Sequence, residues 1–381
     1  MRVLVAPDRF TGTLSAAEAA EAIATGWRRR APSDSLEVCP LADGGPGFLD
    51  ALHAGLGGRR LPVIVAGPLG DPVPAEVLLT ADGTAYVESA QACGLHLVPP
   101  DRRDPGRTST AGVGTLLQAA RAAGAGRIVV GVGGSATNDA GAGMIAALSQ
   151  DLDPPPGGPA GPPAGGIEAL RALEGGGPGR LEQVRAAWAG VDLVVASDVD
   201  APLLGPEGAS LAFSEPKGST PEQARDLDAA LGEFAAAVLT ALGLPKRTVV
   251  EPGAGAAGGL GFGLFLLGAR RSSGAQAVID AVGLPERLAG CDLVITGEGC
   301  FDRQSMRGKV VTAVARAALH AGRPAVVLAG QVALGRRQMA ALGVDAAYPV
   351  ARDLTQVAKA TADPAGSLAR LAERVARTWS P

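Results

Sequence analysis

Aromatic residues, histidines and cysteines are scarce in this chain of 381 residues. Aromatics make up 3% of it, so its cores must be packed mainly by small aliphatic side chains and close backbone approach. We interpret the three histidines, at positions 53, 96 and 320, as structural or surface residues. The four cysteines, at positions 39, 93, 291 and 300, lack CxxC spacing, so neither a disulfide framework nor a zinc site is predicted.

Positive charge is not in excess, because 34 Lys and Arg stand against 38 Asp and Glu. The arginine run Arg28–Arg30 falls at a predicted helix end, where cations offset the helix dipole. No basic stripe indicates a nucleic-acid partner. The N-terminus enters a strand with no signal-peptide core, and the longest uncharged stretch, Pro252–Ala269, is broken by glycines and short for a bilayer span. We expect a soluble, cytoplasmic protein without a membrane partner.

Two kinds of sequence pattern predict two domains of an α/β protein. Near both ends, short β-branched runs such as Arg2–Ala6 and Asp292–Thr296 alternate with helical segments, which is typical of a parallel sheet. Between them, Arg60–Val98 has short alternating segments separated by Gly, Pro and Asp turns, which indicates antiparallel hairpins. We predict a Rossmann-like domain made of residues 1–60 and 288–381, with a mixed-sheet α/β domain, 61–287, inserted. The Pro/Gly-rich residues 153–166 are predicted to form an exposed loop.

The stretch Arg127–Leu148, RIVVGVGGSATNDAGAGMIAAL, has the order strand, glycine-rich turn, helix. That order directs backbone N–H groups and a helix dipole to one spot, which suits an anion such as phosphate. Its spacing fits neither the P-loop nor the dinucleotide fingerprint. On this interpretation Asp139 holds Mg²⁺ or caps the helix; the alternative is a tight turn whose glycines serve packing alone. A second glycine cluster, Gly253–Gly263, is open to the same two interpretations.

Carboxylates follow two predicted neighbouring strands at equivalent positions. Asp8 comes after Arg2–Ala6, and Asp43 comes after Leu36–Pro40. Open α/β sheets place ligands at the carboxyl ends of their strands, so we expect both side chains at one ligand site. The alternative is that each caps the helix that follows it.

Seven motifs in order, among them APDRFTGTLSA, ADGGPG, GVGGSATNDAGAGM and TGEGCFDRQSMRGK, resemble the bacterial glycerate kinase type I family over essentially the whole chain. The resemblance implies a two-domain α/β kinase that transfers phosphate from ATP, with Mg²⁺, to the 2-hydroxyl of glycerate. It implies no nucleic-acid partner. A homodimer is compatible with it.

The resemblance and the demands of phosphoryl transfer together give the site residues their expected roles. The expected catalytic residues are Asp8, Asp43, Asp198 and Lys309. The expected acceptor-binding residues are Arg9, Thr11, Glu298, Asp302 and Gln304. Nucleotide phosphates are assigned to Gly133, Gly134, Ser135, Thr137, Asn138 and Lys217, and the metal to Asp139 and Asp198.

Several loop positions depart from the family pattern. Arg9 and Thr11 stand for a serine and a lysine, Pro46 and Phe48 for a glutamate and a threonine, and Cys300 for an arginine. We expect Pro46 and Phe48 to make one corner of the site apolar. Two alternatives to a glycerate kinase therefore stay open, a relative with a bulkier substrate and a non-catalytic metabolite- or nucleotide-binding paralogue.

Overall fold

A computed structural model describes residues 1–152, 178–307 and 309–380; the predicted loop at 153–166 lies outside the described residues. The strands are β1 Arg2–Val5, β2 Ser35–Val38, β3 Arg59–Ala66, β4 Pro72–Leu79, β5 Thr84–Glu88, β6 Arg127–Gly131, β7 Asp192–Ala196, β8 Arg270–Ser272, β9 Leu293–Phe301, β10 Ala325–Val332 and β11 Ala346–Pro349. The described α-helices are α1 Ala16–Arg30, α2 Phe48–Leu56, α3 Ala90–Cys93, α4 Ala111–Ala122, α5 Ala142–Leu152, α6 Pro178–Trp188, α7 Pro221–Ala241, α8 Ala256–Leu266, α9 Gly274–Ala281, α10 Leu284–Gly290, α11 Val310–His320, α12 Arg336–Ala341, α13 Leu354–Ala362 and α14 Pro364–Trp379.

The chain divides into two compact units, each with its own sheet. The first unit comprises Met1–Asp43, Asp50–Gly57 and Ser273–Pro381, and the second comprises Gly44–Leu49 and Gly58–Ser272. The return to the first unit therefore falls at 272/273 and not at the expected 287/288. Helices α9 and α10 pack against α11, and α10 also packs against β1, so both belong with the first unit. No strand pattern marks this return in the sequence.

The first unit is built on a five-stranded parallel sheet with the order β11-β10-β9-β1-β2. This confirms that the two ends of the chain share one sheet. The buried Trp27 of α1 packs beneath it, and its ring N–H donates to Asp34 at 2.9 Å. All five strands run in one direction, so their carboxyl ends meet at one edge, where α/β proteins bind ligands.

The second unit is built on a six-stranded mixed sheet with the order β3-β4-β5-β6-β7-β8. Strands β3, β4 and β5 are antiparallel, as the alternating pattern predicted, and β5 to β8 are parallel. Gly131 at the end of β6 pairs with Ala196 at the end of β7, so the loops after these strands leave the sheet side by side. Within the described ranges, no helix combines the length and the apolar character that a membrane span requires.

Candidate active site

A cavity of about 380 Å³ lies in the first unit at the carboxyl ends of its strands. It is lined by every site residue that the sequence predicted in this unit: Asp8, Arg9, Thr11, Asp43, Glu298, Asp302, Gln304 and Lys309. The parallel sheet explains the convergence, because Asp8 follows β1 and donates its backbone N–H to the carbonyl of Gly297 at 2.8 Å. Asp8 and Glu298 therefore emerge from neighbouring strands.

Helix capping does not account for Asp8 in this cavity. Helix α1 is capped by Ser15 and Glu18, which form a capping box. At the start of α2, in the second unit, the carboxylate of Glu88 accepts the backbone N–H groups of Gly47 and Leu49, each at 3.1 Å. Asp8 is 6% exposed, and the Arg9 backbone N–H donates to its Oδ1 at 2.7 Å.

Two buried carboxyls in this cavity have strongly raised pKa values. Burial, followed by the charge of Asp43, raises the pKa of Asp8 to about 8. Burial raises the pKa of Glu298 to about 7. Glu298 is 6% exposed, and its Oε1 has no hydrogen-bond partner among the described residues. A carboxyl with a pKa near neutrality can take up a proton during a reaction and release it afterwards.

Cationic and hydrogen-bonding groups complete the lining. Arg9 is half-buried, and Lys309 is half-buried at the N-cap of α11. Asp302 accepts the backbone N–H of Gln304 at 2.7 Å, which fixes the turn that carries both side chains. Carboxylates that accept hydroxyl protons beside two cations form a cavity suited to a small hydroxylated anion.

In the second unit, the glycine-rich loop after β6 is closely packed. A Cβ on Gly131 would lie 2.7 Å from the carbonyl oxygen of Gly44, and one on Gly133 would lie 2.8 Å from Cα of Gly45. Packing thus explains these two glycines, as the alternative interpretation held. Gly134, with a φ of +69°, is exposed, and Gly133 is partly exposed. The Gly133–Gly134 corner is therefore the part of this loop that a ligand can reach.

Three further side chains of this loop point into the protein. Thr137, Asn138 and Asp139 are fully buried. Asn138 donates from Nδ2 to Ser210 Oγ at 2.8 Å. The Asp139 carboxylate accepts four donors, the backbone N–H and hydroxyl of Thr110 and the backbone N–H groups of Gly141 and Gly143, between 2.9 and 3.2 Å. Burial raises the pKa of Asp139, opposed by these bonds. Its contacts are those of a helix cap, the second of the interpretations predicted for it.

Lys217 and the second glycine cluster, Gly253–Gly263, both contact the backbone of this loop. Lys217 is 7% exposed and donates from Nζ to the carbonyl oxygen of Thr137 at 2.7 Å. Burial lowers its pKa to about 8. Gly258 has a φ of +70°, and a Cβ there would lie 1.8 Å from the same carbonyl oxygen. The second cluster therefore packs against the first, and Lys217 supports the loop backbone.

The comparisons with known proteins agree over the whole chain. The model of the glycerate kinase family matches residues 3–380. A glycerate kinase of Bacillus subtilis (strain 168) is 42% identical over 353 residues, which cover 92% of this chain and 90% of that protein. This chain belongs to the glycerate kinase family. The glycerate 2-kinase of Escherichia coli (strain K12) is 37% identical over 381 residues, covering 99% and 98%. A putative glycerate kinase 2 from Salmonella typhimurium LT2, a solved structure, matches with a TM-score of 0.79 at 37% identity, covering 100% and 98%.

As a glycerate kinase family member, the chain is a phosphotransferase that uses a nucleotide and a small-molecule acceptor. Three of its departures from the family pattern, Arg9, Thr11 and Cys300, line the cavity of the first unit. The expected apolar corner at Phe48 is not found. Phe48 is fully buried, and its ring packs edge-on against Tyr86 with centroids 6.2 Å apart, so it belongs to the core of the second unit.

The described residues contain no group of three or more His, Cys, Asp or Glu side chains able to hold a metal ion. Mg²⁺ in kinases is often held by one or two carboxylates together with substrate phosphates, so such a group is not required. Asp198 is partly exposed and follows β7, beside the loop after β6, where the Val132 N–H donates to the Ala196 carbonyl at 3.1 Å. The oxygens of Asp139, by contrast, accept four protein donors inside the second unit.

The Asp139→Ala substitution is expected to lower the free energy of unfolding by about 3 kcal/mol, because it leaves buried N–H donors without an acceptor. Urea denaturation measures this change. The exposed Asp192, which pairs with Arg270 at 3.2 Å, provides the control, and Asp192→Ala should cost less than about 1 kcal/mol. A stable Asp139→Ala protein with a raised requirement for Mg²⁺ would instead assign Asp139 to the metal.

Proposed function

We propose that this enzyme transfers the γ-phosphoryl group of ATP to the 2-hydroxyl of D-glycerate, with Mg²⁺ as the metal. The observation that carries the proposal is the convergence of buried carboxyls and two cations on one cavity of the first unit. The names of the Bacillus subtilis and Escherichia coli relatives support glycerate as the acceptor, and that of the latter supports the 2-hydroxyl.

Asp8 is the general base in this proposal. Its carboxylate takes the proton of the 2-hydroxyl while that oxygen forms a bond to the γ-phosphorus and the bond from phosphorus to the β–γ bridging oxygen breaks. ADP leaves with the bridging oxygen. A base with a pKa of about 8 is a strong enough acceptor for this proton and is still partly deprotonated at neutral pH.

The other groups of the cavity bind and orient the acceptor. Arg9 and Lys309 bind the carboxylate of glycerate, the former through its planar fork of donors. Glu298 accepts a hydrogen bond from the 3-hydroxyl, which gives its unpaired Oε1 a partner. Thr11, Asp302 and Gln304 supply hydrogen bonds around the substrate. Burial of Asp8, together with the charge of Asp43, keeps the pKa of Asp8 high.

The second unit holds the nucleotide phosphates in this proposal. Its exposed donors are those of the Gly133–Gly134 corner, and Ser135, which is 7% exposed, adjoins this corner. Asp198 would hold Mg²⁺, which, when bound, offsets the negative charge of the phosphates. We no longer assign Thr137, Asn138 or Lys217 to phosphate, because their polar groups bond within the protein. The four free cysteines are consistent with a reducing cytoplasm, where ATP is available.

A coupled assay of ADP release with D-glycerate, L-glycerate and glycerol as acceptors tests the proposal. We expect turnover with D-glycerate and Mg²⁺ and a loss of turnover when EDTA removes the metal. Glycerol lacks the carboxylate that Arg9 and Lys309 bind, so its kcat/KM should be lower by at least about 100-fold. Binding of an ATP analogue with no ADP release from any acceptor would instead favour the non-catalytic paralogue.

A further inference from the structure

The cavity of the first unit extends well beyond the groups that glycerate requires. Its lining follows four neighbouring strands, from Asp8 after β1 through Glu298 and Gln331 on β9 and β10 to Val350 after β11. Neighbouring strands lie about 4.8 Å apart, so the ends of β1 and β11 are separated by roughly 14 Å. A three-carbon acid beside Asp8 and Glu298 leaves the part near β10 and β11 unfilled.

This second part of the cavity is lined mainly by apolar side chains, with Thr361 and Gln331 as its polar members. Val357, Ala360 and Thr361 share one face of α13 because they are three and four residues apart, and all three line the cavity. Pro364 and Leu368 of α14 line it as well. The apolar stripe of a surface helix normally packs into a core, yet no residue of α13 is buried. Val357 and Ala360 thus remain partly exposed beside the cavity.

We propose that this apolar end binds an alkyl substituent of the acceptor, so that the enzyme binds 2-hydroxy acids with longer side chains more tightly than short ones. The inference rests on the proposed function, which places the carboxylate and hydroxyl of the acceptor at the polar end. The nucleotide phosphates are assigned to the second unit in the proposed function, so a nucleotide base is the competing occupant that the variants below test.

Calorimetric binding of lactate, 2-hydroxybutyrate and 2-hydroxyhexanoate, without nucleotide, tests the inference. Burial of each added methylene should tighten binding by about two- to fourfold, so 2-hydroxyhexanoate should bind about 10- to 60-fold more tightly than lactate. An affinity that stays the same or falls along this series would overturn the inference.

Three variants locate the effect on α13. Ala360→Trp fills the apolar end and should reduce the gain from lactate to 2-hydroxyhexanoate to less than about threefold. Ala358→Trp places the same side chain at an exposed position of this helix that does not line the cavity, and should keep the full gain. Val357→Thr, which hardly changes the volume, should lower the gain by about two- to fourfold even if Ala360→Trp folds poorly.

The same variants separate this inference from the proposed function. If Ala360→Trp weakens binding of an ATP analogue and leaves the acid series unchanged, the apolar end binds the nucleotide base and the inference is wrong. If D-glycerate is turned over but the series shows no gain, the inference alone fails. If the series shows the gain but no acceptor is phosphorylated, the proposed function fails and the apolar subsite stands.

Discussion

Asp8→Asn is expected to lower kcat by about 10²- to 10⁴-fold, because the amide cannot accept the proton of the acceptor hydroxyl. The same change should make the protein more stable at alkaline pH, since asparagine carries no charge to bury. Steady-state kinetics with D-glycerate and thermal melting between pH 5 and pH 9 measure both effects. Asp280→Asn, at an exposed residue that accepts from Gln276 at 2.7 Å, is the control and should change neither.

The pH dependence of this stability difference follows from the raised pKa of Asp8. The folded chain keeps a proton up to about pH 8, whereas the unfolded chain releases it near the ordinary value of 3.8. This stabilising contribution is fully present below the unfolded pKa and is lost as the pH rises through about 8. The difference between variant and wild type should therefore grow from pH 5 to pH 9. A kcat within threefold of wild type would contradict the role of Asp8 as base, and a stability difference independent of pH would contradict its buried charge.

Gly258→Ala is expected to lower the free energy of unfolding by more than about 4 kcal/mol, or to prevent folding. The new Cβ would lie 1.8 Å from the carbonyl oxygen of Thr137, so the glycine-rich loop must move and lose its bond to Lys217. Urea denaturation measures the loss.

Gly243→Ala is the matched control for this substitution. Gly243 has a φ of +62°, similar to the +70° of Gly258, but a Cβ there meets nothing within 4 Å. Only the cost of a left-handed alanine remains, about 1–2 kcal/mol. Equal losses in the two variants would show that backbone strain, and not the contact of the two glycine-rich segments, explains the effect.

Local signals in the sequence predicted much of the scaffold. The Ser-x-x-Glu spacing of Ser15 and Glu18 is a sequence signature of a helix start, and it stands directly at the start of α1. The shared sheet of the two chain ends was predicted because short β-branched runs alternate with helical segments near both ends. These features depend on residues close in sequence, so a single chain is enough to find them.

The role of the glycine-rich loop could not be read from its own residues. Lys217 lies 80 residues from Thr137, and Ala257, which accepts the Thr137 hydroxyl at 3.4 Å, lies 120 residues away. Polar residues after a glycine-rich turn have the same pattern whether they contact a ligand or the protein interior. Only the fold shows that Thr137, Asn138 and Asp139 point inward.

For the cavity proposed to bind the acceptor, the sequence predicted one end and missed the other. Its polar end was predicted because the family resemblance marks Asp8, Glu298 and Lys309. Its apolar end was missed, although the spacing of Val357 and Ala360 on a short amphipathic helix was a usable signal. Such a stripe normally indicates a core-facing helix, and the sequence alone does not reveal that this one faces a cavity.

Phosphorus NMR of the products formed from ATP, Mg²⁺ and D-glycerate tests the central claim most directly, because it identifies the oxygen that receives the phosphoryl group. We expect 2-phosphoglycerate and ADP in equal amounts from the wild type and almost none from Asp8→Asn. A spectrum with 3-phosphoglycerate alone, or with ADP and inorganic phosphate but no phosphoglycerate, would contradict it.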